Sequence, residues 1–139
     1  MSILFKIVSA AHIGLFHLTG GRVGSTMRGQ RILLLTTTGS RSGEPRTVPV
    51  MQFEFDGKRY VVGSAGGSPQ DPAWIKNLRK TPEVQVELRG EKYRARASIL
   101  TGEARSEVFE KITQRAPMFA RYEKRAAGRE IPVVQLTRS

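Results

Sequence analysis

The residues best suited to chemistry lie in positions 33–50. Leu33-Leu34-Leu35-Thr36-Thr37-Thr38 feeds Gly39-Ser40-Arg41-Ser42-Gly43-Glu44-Pro45-Arg46, and the chain leaves through Thr47-Val48-Pro49-Val50. Glycines let a backbone take positive φ and approach a ligand closely. Successive exposed N–H groups in such a turn form a concave anion site. Arg41 and Arg46 can then fork onto phosphate or carboxylate oxygens. A plain hairpin connection with solvated arginines fits the loop equally well, because glycine and serine are ordinary turn residues. A second stretch of tiny residues, Gly63-Ser64-Ala65-Gly66-Gly67-Ser68, also follows an apolar run. Beyond it stands Trp74, either a core plug or a flat wall for a ring.

Standard catalytic constellations are missing. There is no cysteine, and His12 and His17 alone make a poor metal site, so no metal is expected. Paired carboxylates, a Walker loop and a dinucleotide fingerprint are absent too. An enzyme with this inventory takes its chemistry from a bound cofactor and supplies placement and electrostatics. The formal net charge of +11 attracts anions: nucleic acid, an acidic membrane or a polyanionic small molecule. A non-enzymatic basic barrel that stacks and neutralises single strands is the rival class. With aromatics at 7%, and with Phe53, Phe55 and Tyr60 reading as hairpin packing, nucleic acid is not the expected partner. The lack of cysteine suits a reducing cytoplasm.

The elements that must position these residues can be read along the chain. At 139 residues one domain, 1–139, is expected. Over residues 1–20, Leu4, Ile7, Val8, Ala11, Leu15 and Leu18 recur at helical spacing. The run is too interrupted to span a bilayer. An amphipathic helix docked on protein, or in second place on a membrane surface, is the expectation. Residues 21–30 read as a basic, glycine-rich connector, and 31–139 as the body.

Strand periodicity starts after Arg31. Residues 32–38 suit a buried strand. Runs 47–55 and 58–63 flank Asp56-Gly57, a type I′ hairpin signal that would pair Phe55 with Lys58, Glu54 with Arg59 and Phe53 with Tyr60. Asp71 and Pro72 read as N-cap and first turn of a helix over 72–80, with Trp74 and Leu78 on one face. Val84, Val86 and Leu88 alternate with Gln85 and Glu87, and Tyr93, Ala95, Ala97 and Ile99 with Arg94 and Arg96, across a turn at Arg89-Gly90. Thr101 can cap a helix to Arg115, Pro117 opens another that Gly128 ends, and 131–136 is a last strand. About six strands with hairpin connections and flanking helices give an α+β fold, a small, mainly antiparallel barrel.

Several separated motifs together resemble the deazaflavin-dependent nitroreductase family. They are Leu34-Leu35-Thr36-Thr37-Thr38-Gly39-x-Arg41-Ser42-Gly43-x-Pro45-Arg46-Thr47-x-Pro49, Val62-Gly63-Ser64-x-Gly66-Gly67, Asp71-Pro72-Ala73-Trp74-x-x-Asn77-Leu78, Pro82-Glu83-Val84 and Arg129-Glu130-Ile131-Pro132-Val133-Val134. The resemblance implies a split β-barrel of the FMN-binding type. It implies coenzyme F-420, an 8-hydroxy-5-deazaflavin with a phosphate and a polyglutamate tail, with FMN as the alternative. It implies reduction of quinones, nitro compounds or activated alkenes, and a homodimer is common among related barrels. The protein would then be cytoplasmic, or peripheral at the inner face of the membrane through residues 1–20.

On this resemblance Gly39, Ser40, Arg41, Ser42 and Arg46 meet the phosphate and tail. Thr47, Val48 and Pro49 lie along the ring, and Ser64, Ala65, Gly66 and Gly67 sit against ring and phosphate. Trp74, Asn77 and Leu78 close that side. Met51, Phe119 and Tyr122 form the substrate wall, with Tyr122 able to donate a hydrogen bond to a substrate oxygen. Ser40 and Ala65 stand where relatives often carry a basic residue, so the resemblance implies either weaker coenzyme binding or compensation by another cation such as Lys76 or Arg79.

Overall fold

The computed structural model describes residues 26–27, 30–64, 67, 70–126 and 128–139. The expected helix over 1–20 and most of the connector 21–30 lie outside them. In chain order the elements are β1 (Thr26–Met27), β2 (Gln30–Thr38), β3 (Pro45–Phe55), β4 (Lys58–Val62), α1 (Ala73–Lys80), β5 (Glu83–Leu88), β6 (Glu91–Ile99), α2 (Gly102–Arg115), α3 (Met118–Arg125) and β7 (Val133–Arg138). The sheet order is β1-β2-β3-β4-β7-β6-β5, and β2 also pairs with β5, so β2 to β7 close into a six-stranded antiparallel barrel. One segment departs from the sequence reading. Thr26 and Met27 belong to no connector but pair with Arg31 and Gln30 of β2.

Tight turns fix the registers. Asp56 (φ 53°) and Gly57 (φ 75°) make the two-residue turn, and Phe55–Lys58, Glu54–Arg59 and Phe53–Tyr60 face each other as expected. Arg89 (φ 54°) and Gly90 (φ 80°) repeat the device between β5 and β6. Ile32, Leu33, Leu34 and Leu35 are all at most 1% exposed, which explains why β2 reads as an unbroken apolar run rather than an alternating one. On β5 the expected wet face is incomplete. Gln85 is exposed, whereas Glu87 is buried and pairs with Lys92 at 3.8 Å.

Two apolar clusters hold the molecule together. Leu33, Leu35, Val61, Val86 and Val134 fill the barrel, and Trp74, Ile75 and Leu78 of α1 join them. Phe53, Tyr60 and Val62 pack outside it under Phe109, Ile112 and Phe119 of the helical pair. Each fully buried large side chain contributes about 1.5–3 kcal/mol. Burial, and then the Asp56 carboxylate, push the Tyr60 hydroxyl above its usual pKa. Arg105 of α2, 7% exposed, ties the helical pair to the approach to β7. Its guanidinium donates to the Ile131 carbonyl at 2.7 and 3.2 Å and to Glu123 at 2.8 Å.

Candidate functional site

The β2–β3 ladder ends at the Thr38–Pro45 pair, leaving residues 39–44 to turn the chain. The turn is closed by the Gly39 N–H on the Glu44 carbonyl at 2.8 Å and the Gly43 N–H on the Gly39 carbonyl at 2.9 Å. Gly43 has φ +71°, which the turn asks of a glycine, and a Cβ on Gly39 would come within 2.5 Å of Ser42 Oγ, which would have to swing aside. The Ser40 N–H donates to Asn77 Oδ1 at 2.9 Å and the Glu44 N–H to Ser42 Oγ at 3.1 Å. That leaves the N–H groups of Arg41 and Ser42 without a partner among the described residues. The anion nest is therefore narrower than the sequence suggests. It is flanked by the exposed Arg41 and Arg46 side chains.

Helix α1 holds this loop from below. Asn77 is 6% exposed, and its amide is spent within the protein, since Nδ2 donates to Thr37 Oγ1 at 3.0 Å while Oδ1 accepts from Ser40. Trp74 (8% exposed) and Leu78 (2%) face the barrel core. These three residues were expected to close the coenzyme side. In the structure Trp74 and Leu78 seat α1 on the barrel, and Asn77 bonds Ser40 of the loop. Asp71 is also not the helix cap. Its carboxylate pairs with Arg129 at 2.6 Å and Arg79 at 2.9 Å, and α1 starts after Pro72 with no side-chain cap bond. Arg79 is thereby engaged. The cation set against the loop is Lys80, whose Nζ donates to the Ser40 carbonyl at 2.8 Å.

Beyond the loop, β3 has a partner on one side only. It pairs with β2 from Pro45 to Met51, but with β4 only from Gln52 to Phe55. Among the described residues, half of β3 thus presents an open edge, and its Thr47, Val48 and Pro49 are half-buried. Two prolines within β3, at 45 and 49, are the sequence signal for such an edge, because proline cannot donate to a ladder. Thr47 Oγ1 bonds Thr36 Oγ1 at 2.8 Å across the barrel's outer face.

Met51 packs against the same cluster as Phe119 and Tyr122. Phe119 is 4% exposed and sits edge-on between Phe53 (5.9 Å between centroids) and Tyr122 (5.7 Å). It lies behind Tyr122 in this cluster. Tyr122 is half-buried, and its hydroxyl has no partner among the described residues.

The second small-residue loop answers first to the helices. A Cβ on Gly63 would lie 2.6 Å from Ile75 Cγ1, and one on Gly67 (φ +85°) 2.9 Å from the Tyr122 carbonyl oxygen and from Arg125 Cβ. Ser64 is buried beside them. Ala65 and Gly66 lie outside the described residues. A separate crevice of about 570 Å³ opens at the opposite end of the barrel, around Gln52, Arg59, Leu88, Tyr93 and Arg138. No helix among the described residues is long and apolar enough to cross a membrane.

Exposed guanidiniums, unspent N–H groups and an open strand edge in sequence suit an elongated ligand that is anionic at one end and flat at the other. Comparisons with known proteins point the same way. The model of the family described as F-420H(2)-dependent quinone reductase matches residues 10–138. An F-420H(2)-dependent quinone reductase of Mycobacterium tuberculosis is 31% identical over 134 residues, 91% of this chain and 87% of that protein. Among solved structures, an F-420H2-dependent reductase, FDR-A, superposes with TM-score 0.68 at 36% identity, covering 76% of this chain and 92% of that one. A structure described as a domain-swapped dimer gives TM-score 0.71 at 31% identity over 95% and 98% of the two chains. A haem-storage protein of Vibrio cholerae, 15% identical with TM-score 0.58, shares the fold alone. With the family match spanning nearly the whole sequence, and the barrel and its anion loop agreeing with it, this chain belongs to the F-420H(2)-dependent quinone reductase family.

Proposed function

We propose that the protein passes hydride from reduced coenzyme F-420 to a quinone, with the coenzyme's phosphate and glutamate tail at the 39–46 loop and its ring along the open edge of β3. The observation that carries this reading is the juxtaposition of that half-paired strand with a loop whose Arg41 and Ser42 N–H groups remain unspent. When bound, the coenzyme supplies the hydride. The chain supplies alignment and charge. Arg41, Arg46 and Lys80 neutralise the anionic end. The Thr47, Val48 and Pro49 backbone supports the flat end. Met51 and Tyr122 border the acceptor, whose oxygen accepts a hydrogen bond from the Tyr122 hydroxyl. Holding donor and acceptor at near-attack distance is the main catalytic work.

Nitro compounds and activated alkenes are further acceptors of the same chemistry. We place the protein in the cytoplasm as one domain, with residues 1–20 available for contact with protein or with the inner membrane surface. A homodimer is supported by the domain-swapped neighbour.

The test is a fluorescence titration with oxidised coenzyme F-420, run beside FMN. Saturable binding of the deazaflavin is expected, weakened about two- to fivefold by Arg41→Ala or Arg46→Ala, the modest effect of an exposed ion pair. FMN has a phosphate but no glutamate tail, so it should bind more weakly. Preference for FMN, or affinity indifferent to both arginines, would reject this site.

A further inference from the structure

Gly128, with φ +87°, reverses the chain after α3 and delivers Arg129, whose side chain is 12% exposed. Its guanidinium spans the neck of the 63–71 loop. Nη1 donates to the Gly63 carbonyl at 3.2 Å and to Asp71 Oδ1 at 2.6 Å, and Nη2 donates to the Ser64 carbonyl at 2.8 Å. Both ends of the loop are thus tied to one side chain. Asp71 Oδ2 in turn takes Arg79 of α1 at 2.9 Å. Through Asn77, the same helix holds Ser40 of the anion loop. Gly67 lies against the backbone of Tyr122. A planar fork holds several acceptors in fixed directions, which a lysine ammonium does not do.

We infer that Arg129 is a positioning residue for coenzyme binding: it ties Gly63 and Ser64 to Asp71 and, through Arg79, to α1, the helix that holds the 39–46 loop of the coenzyme site. The inference rests on the coenzyme site proposed above. A purely structural role would make Arg129 equivalent to any other buried arginine, and Arg105 supplies that comparison. Arg105 of α2, 7% exposed against 12% for Arg129, forks onto the Ile131 carbonyl ahead of β7 and onto Glu123 of α3, but holds no loop of the site.

The experiment compares Arg129→Lys with Arg105→Lys in the full chain. Three quantities are read: thermal midpoint, affinity for oxidised coenzyme F-420 by fluorescence, and amide hydrogen exchange over residues 63–71 without coenzyme. Both variants should lose thermal stability. Arg129→Lys should weaken coenzyme binding about tenfold, the order expected for lost charge-assisted hydrogen bonds, and speed exchange in the loop. Arg105→Lys should leave affinity within about twofold and loop exchange unchanged. If Arg129→Lys does not accumulate as folded protein, Asp71→Asn reads the same tie and should move affinity and exchange in the same direction. Equal losses of affinity in the two lysine variants, or unchanged exchange in the loop, would overturn the inference. Wild-type protein that failed to bind the coenzyme would sink the functional reading instead, while faster loop exchange in Arg129→Lys would still support the tie.

Discussion

A hydroxyl with no protein partner is seldom left half-buried beside an aromatic cluster, because an unmet donor gains only what solvent or a ligand gives it. Tyr122 is in that position, with Phe119 edge-on behind it and the Arg125 guanidinium 5.9 Å from its ring. If it donates to the acceptor oxygen, Tyr122→Phe should slow single-turnover hydride transfer by up to about tenfold, the worth of one neutral hydrogen bond. Coenzyme affinity and thermal midpoint should stay put, since the hydroxyl bonds no other group among the described residues. Stopped-flow oxidation of the reduced coenzyme by a quinone measures the first; unchanged turnover would remove Tyr122 from the reaction. At this scale the sequence shows residue types better than roles. Arg41 and Arg46 are legible as exposed cations of a glycine turn, which is where the structure has them. Asn77 is not: its spacing cannot reveal that both ends of the amide are consumed by Ser40 and Thr37. Asp71 before a proline has the form of a cap, yet two guanidiniums outcompete the helix N–H groups for its carboxylate.

Helix α1 fits its place because Gly63 lets it. Any side chain at 63 would meet Ile75, so Gly63→Ala should overpack the contact and cost about 1–3 kcal/mol. The helix also carries Asn77 and Lys80 to the anion loop, so displacing it should weaken coenzyme binding as well. Urea unfolding of Gly63→Ala, Ile75→Ala and the double variant gives the check. The double variant should lose less than the sum of the singles, because removing Ile75 relieves the clash. Additive losses would mean that the close approach is not the cause. Among elements, local signals carried furthest. The Asp56-Gly57 turn fixed a hairpin whose three pairs appear as read, and helix ends fell within a residue or two. What the sequence could not show is long-range. The closing pairs of β2 with β5 join residues some fifty positions apart, and β1 is too short to leave a periodic trace.

At the scale of the whole molecule, a formal charge of +11 admits two uses that the fold alone does not separate: a general attraction for polyanions, or a funnel for one anionic coenzyme. The distribution of the charge favours the second. Arg79, Arg105 and Arg129 are committed to internal carboxylates and carbonyls, whereas Arg41 and Arg46 stay exposed around a loop whose Arg41 and Ser42 N–H groups have no partner among the described residues. Exposed cations are screened once the Debye length falls to a few ångströms, whereas backbone and apolar contacts to a strand edge are indifferent to salt. Raising ionic strength from about 0.05 to 0.5 M should therefore weaken coenzyme binding severalfold and leave a residual affinity. In Arg41→Ala/Arg46→Ala the salt dependence should flatten, because the screened charges are gone. A single-stranded oligonucleotide should show no saturable binding at physiological salt, where a nucleic-acid barrel would still hold its strand through stacking. Fluorescence titrations of both ligands across the salt series decide the matter. A salt response unaltered by the double substitution would place the anionic tail elsewhere on this basic surface, and tight oligonucleotide binding would return the rival class to first place.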